Sequence, residues 1–175
     1  MNKNLIILAG VAAVLGIVAL ASTITPETGQ PEDEIHYHAG FQVYKDDVLQ
    51  DFSGLQYMHL EPCTEEEHEE ETSAADDEQL EKAHLHDGIG DVVHVHRENV
   101  TWKDFFENIK VNVNSEASAY INGKEVENFQ DSPINTYDSL VIFEGQNTDT
   151  NEKLQKAVSK EHIIETESKS ESCGS

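Results

Sequence analysis

Residues 83–96 constrain this chain more than any other stretch. They place His84 and His86 on one side of a turn containing Gly88 and Gly90, and His94 and His96 on the other. Side chains two apart on a strand point the same way, so each His-x-His unit presents both imidazoles on one face. Two short strands joined by that turn would set the pairs side by side, close enough for one metal ion to take ligands from both.

A third unit, His36 and His38, lies in a segment that also reads as a strand. Tyr37, Ala39, Phe41 and Val43 alternate on one face, with His36, His38, Gln42 and Tyr44 on the other. Asp46 and Asp47 supply turn chemistry, and residues 48–52 read as the returning strand. Residues 55–60 read as a further short strand or extended piece.

Downstream, Thr101 is placed to cap a helix in which Asp104 completes a capping box. Trp102, Phe105, Phe106 and Ile109 form its apolar stripe. These aromatics read as core. Residues 117–121 and 124–126 flank Asn122-Gly123, the strongest hairpin-turn signal in the chain. Residues 139–143 are nearly continuously apolar and read as a central buried strand. Residues 151–164 have a thin apolar stripe at helical spacing, and residues from 168 onward read as disordered. Together these elements predict an α+β fold, a small mixed sheet with one packed helix.

The Thr-capped helix, the Asn122-Gly123 hairpin and the strand Tyr137-Asp138-Ser139-Leu140-Val141-Ile142 resemble the β-grasp layout of ubiquitin-like proteins, and most of all the small sulfur carriers. The resemblance spans residues 91–144 and implies the fold. Those carriers end in a Gly-Gly terminus, which this chain lacks, so their activity is not implied.

The domain is expected at residues 35–145, with an acidic insertion at 61–81 and a polar tail with a short helix at 146–175. Ahead of it, residues 22–34 read as a linker. Residues 1–21 carry Lys3 before a 17-residue uncharged apolar run ending at Ala21, either a signal peptide or a transmembrane anchor. Both place the body outside the cytoplasm, secreted or tethered as a single-pass protein. The formal net charge of -24 repels phosphates and excludes nucleic acid as a partner. Cys63 and Cys173 are compatible with an oxidising compartment and do not make a disulfide framework.

Imidazole suits zinc and copper, the transition metals that an exported protein meets most often. His84, His86, His94 and His96 are therefore the expected ligands, with His36 and His38 joining if their strand lies beside the hairpin. Met58, His59 and Cys63 offer softer or additional ligands. Asp87 is placed to accept from a ring N–H or to ligate through oxygen; its other role is turn formation. The expected function is reversible copper or zinc binding on an exposed sheet face. The alternative is an envelope interaction protein whose histidines respond to pH and whose partner the sequence does not name. A small metalloenzyme ranks third. Gly88 followed by His94 and His96 resembles the opening of the cupin pattern, but the Glu required beyond the second His is missing. No His-Glu-x-x-His or nucleophile-elbow motif occurs.

Overall fold

The computed structural model describes residues 35–59 and 79–170. The N-terminal run, the linker, Cys63, His68, Cys173 and most of the acidic insertion lie outside the described residues. Among the described residues no helix is long and apolar enough to cross a membrane.

Seven strands form one mixed sheet: β1 (Tyr37–Lys45), β2 (Val48–Leu49), β3 (Ala83–His84), β4 (Val92–Val95), β5 (Ser118–Ile121), β6 (Lys124–Val126) and β7 (Ser139–Glu144). Their order is β3-β4-β1-β7-β5-β6, with β2 paired to β1. β1 runs antiparallel to β4 and parallel to β7, with Gly40 opposite Ser139 and Tyr44 opposite Phe143. As its continuous apolar run implies, β7 is central, and its Leu140, Val141, Ile142 and Phe143 are all buried.

Helix α1 (Trp102–Asn108) lies against one face of this sheet. Its start is the expected capping box: the Asp104 backbone N–H donates to the Thr101 hydroxyl, and the Thr101 N–H donates to the Asp104 carboxylate. Trp102, Phe105 and Phe106 then point into a core with Phe41, Leu140 and Ile142. The Phe41 and Phe105 rings meet edge to face at 4.8 Å, the arrangement that aromatic quadrupoles favour. In the hairpin after it, Asn122 and Gly123 both have positive φ, 53° and 75°, as a type I′ turn requires.

The second face differs from expectation. Residues 150–170 form two helices, α2 (Thr150–Gln155) and α3 (Lys160–Ser170), where one helix over 151–164 and disorder from 168 are predicted. Both pack on the sheet. Leu154 and Ala157 sit on Tyr44, Val141 and Phe143, while Val158 and Ile163 sit on Val92. The thin stripe that is marginal for an isolated helix suffices here, because the sheet supplies the other half of each apolar contact.

A polar latch ties this segment to the far end of the chain. The Asp47 carboxylate, in the turn between β1 and β2, accepts from the Thr148 backbone N–H and hydroxyl and from the Lys153 ammonium. Asp46 accepts from the Gln146 N–H. The Lys153 ammonium, followed by the Thr148 N–H, pulls the Asp47 carboxyl down to about 2.

Two smaller expectations are also corrected. β2 stops at Leu49, well short of residue 52. Residues Leu55–Tyr57 form a 3-10 turn, after which Met58 pairs with Leu85 in a single parallel bridge.

Candidate metal centre

The face of the sheet turned away from α1 collects the histidines. Antiparallel pairing sets His38 of β1 opposite His94 of β4, and His94 opposite His84 of β3. Three imidazoles therefore stand in a row across three strands. One step beyond the paired residues, His36 and His96 continue the register, their rings stacked at 4.8 Å and 9°. His86, two residues after His84, brings its ring centroid to 3.5 Å from that of His94. His59, carried in by the Met58 bridge, lies 4.9 Å from His84. All three His-x-His units thus share one patch with His59. His162 stays outside it, exposed and 3.2 Å from Asp91.

The expected exposed sheet face is instead a covered one. His38, His94, His84 and His86 are 0, 1, 5 and 7% exposed, while His96 is half-buried and His36 opens the patch to solvent. Helix α3 supplies part of the cover, which β-strand periodicity does not report. From it Glu167 reaches toward His38, with its Oε1 3.6 Å from His38 Nδ1, too long for a hydrogen bond. The Tyr137 hydroxyl donates to the other Glu167 oxygen at 3.2 Å, and the Tyr137 N–H donates to the His38 carbonyl at 2.7 Å. In sequence, Glu167 is one glutamate among many in an acidic tail, and no local signal marks it.

Burial decides the protonation of the rings. It pushes His38 and His96 down to about 4 and His84 down to about 3, and the neighbouring imidazoles push further in the same direction. His94 is lowered most, by burial and then by His38 and His86. At neutral pH these rings carry lone pairs and no extra proton, the form a metal ion binds. The pH-responsive alternative asks for a charge change under mildly acidic conditions. Burial of these four rings weighs against such a change within the native state.

Hydrogen bonds leave the patch unsatisfied. His38 Nε2 and His94 Nδ1 share a hydrogen across 2.8 Å. The His86 Nδ1–H donates to Asp87 at 2.6 Å, so Asp87 plays the orienting role expected of it while also taking the positive-φ turn position. That bond leaves the lone pair of His86 on Nε2. Four buried ring nitrogens have no hydrogen-bond partner among the described residues: His38 Nδ1, His84 Nε2, His86 Nε2 and His96 Nε2. Each such buried polar atom costs about 1–3 kcal/mol. Stability alone is a poor reason to keep four.

A metal ion would use them. One nitrogen from each of His36, His94 and His96 lies within 4.8 Å of the others, and His36 Nε2 is 3.4 Å from His94 Nδ1. With metal–nitrogen bonds of about 2.0–2.1 Å, ligands on a tetrahedral ion stand about 3.3 Å apart. The group could hold a metal ion after small ring rotations. Met58 does not join it, because its side chain packs against the apolar core on the opposite face. The softer ligand set of Met58, His59 and Cys63 is thus divided, with His59 in the patch, Met58 in the core and Cys63 outside the described residues. No protein-family model, curated protein or solved structure matches the chain.

Proposed function

We propose that this chain is an extracytoplasmic transition-metal-binding protein that holds copper or zinc in the histidine patch. The observation that carries the reading is the His36, His94 and His96 group, with one nitrogen of each within 4.8 Å of the others. The all-imidazole character of that group supports zinc or copper(II) over calcium or magnesium, which take oxygen ligands. The unpaired buried nitrogens around it support a site built for coordination and not for packing. The uncharged apolar run that ends at Ala21 supports export, with the domain either tethered to a membrane or released.

The β-grasp reading of the domain has support of its own. The order β4-β1-β7-β5, with β1 and β7 parallel and α1 between β4 and β5 in the chain, supports that reading and would extend it to β1, beyond residues 91–144. In this reading β2, β3 and the two C-terminal helices are additions, and two of them build the patch: β3 adds His84 and α3 lies over His38.

The test is elemental analysis of the full chain, purified without a histidine tag or added metal, before and after chelation and reloading. Zinc or copper in near-integral ratio, removed by chelator and regained on reloading, is the expected result. Protein that takes up neither metal at micromolar concentration and neutral pH would end the reading.

A further inference from the structure

Seven imidazoles exceed the needs of one ion. A tetrahedral site takes four ligands, and three of those places fall to His36, His94 and His96. Toward β3, and away from His36, a second group remains: His59, His84 and His86. Two of its three ring pairs are spaced for coordination. Two imidazoles bound to one tetrahedral ion have centroids about 5 Å apart, from the metal–nitrogen bond length and the bond angle. The His59–His84 and His84–His86 centroids stand at 4.9 and 5.8 Å.

The polar atoms point to a ligand as well. His84 and His86 are buried, and the Nε2 atom of each lacks a hydrogen-bond partner among the described residues. Asp87 fixes the ring of His86 through Nδ1 and leaves Nε2 as its free lone pair. The backbone brings the third residue alongside the other two, since the His59 N–H donates to the Leu85 carbonyl at 2.7 Å, between His84 and His86.

We propose that the patch is a two-ion centre, with a second transition-metal ion held by His59, His84 and His86 beside the ion at His36, His94 and His96. The inference rests on the metal-binding reading above and names a separate set of ligands within it. The two groups adjoin at His94, a ligand of the first, whose ring centroid stands 3.5 Å from that of His86 and 6.1 Å from that of His84.

The test is the zinc stoichiometry of the tag-free full chain, measured by elemental analysis after loading with zinc chloride and gel filtration. Two zinc ions per chain are expected. His59→Asn with His84→Asn should leave one, and His36→Asn with His96→Asn should also leave one. A single ion in the unaltered protein, or two ions retained by the His59/His84 variant, overturns the second site. No zinc in the unaltered protein overturns the metal-binding reading itself, so the two failures are distinguishable. Far-UV circular dichroism checks that each variant folds. If the double variant does not, His59→Asn alone decides, because that ring is only half-buried. In competition with a chelating dye, one of its two binding steps should weaken at least tenfold while the other holds. Two unchanged steps overturn the proposal.

Discussion

Val158 rests directly on Gly40: a Cβ placed on that glycine would stand 2.5 Å from the Val158 Cβ and Cγ1. Gly40 lies in β1 two residues after His38, on the same face, so its missing side chain is what lets the segment leading into α3 descend onto the sheet beside the histidines. Gly40→Ala should push Val158 outward and lift the start of α3. Overpacking of this kind costs about 1–3 kcal/mol. The expected outcome is a lower melting temperature and faster proteolysis between residues 156 and 170. Unchanged thermal stability would show that the close approach has no structural weight.

Protonation sets a second expectation. Burial pushes the native rings of His38, His84 and His96 down to about 4, 3 and 4, below the ordinary 6.5 of the unfolded ones. Between those values the unfolded chain binds protons that the native state refuses, so stability rises with pH across the window. The metal-free protein should be most stable above about pH 6.5 and lose stability steadily from there toward pH 4. Urea titrations at pH 7.5, 6 and 5 measure the slope. His84→Asn should flatten it.

Metal loading should oppose that loss. An ion that binds only the native patch stabilises it by about 2.7 kcal/mol at a free concentration one hundred times its dissociation constant. Addition of zinc at pH 7 should therefore raise the melting temperature, and chelation should reverse the rise. Replacing the exposed His162 with Asn should leave the shift intact.

Asp87 offers a test of orientation apart from ligation. Its carboxylate accepts from His86 Nδ1, and loss of such a partner commonly weakens metal binding 10–100-fold. Asp87→Asn should weaken zinc binding by about tenfold or more while leaving the fold unchanged. Isothermal titration compares the two proteins. Equal affinities would reduce Asp87 to a turn residue.

The opposite face predicts independence. Phe105 is fully buried against Phe41 on the α1 side, away from every histidine. Phe105→Ala should cost about 3–5 kcal/mol of stability. In the fraction that remains folded, zinc stoichiometry should be unchanged.

Much of this architecture was legible residue by residue. The capping box at Thr101 and Asp104, the Asn122-Gly123 turn and the apolar run of β7 each depend on neighbours within a few positions. Alternation in β1 and β4 likewise assigned each histidine to a face, since side-chain direction along a strand has a period of two. Local pattern did not reveal that Met58 and His59, adjacent in the chain, go to opposite faces and so divide the softer ligand set.

The chain alone therefore determined which imidazoles travel together: every His-x-His unit, by strand geometry, keeps both rings on one side. Only the tertiary structure decided that the three units meet. Pairing of β3, β4 and β1 joins residues up to 58 positions apart, and no local interaction encodes which strand becomes the neighbour of which. The tertiary structure also decided that the patch is covered. Helix α3 has too little apolar surface to announce itself and gains its stability from the sheet it lies upon. That contact places Glu167 beside His38, and the burial of His38, His84 and His94 in the assembled fold turns a row of ordinary surface histidines into neutral, coordination-ready ones.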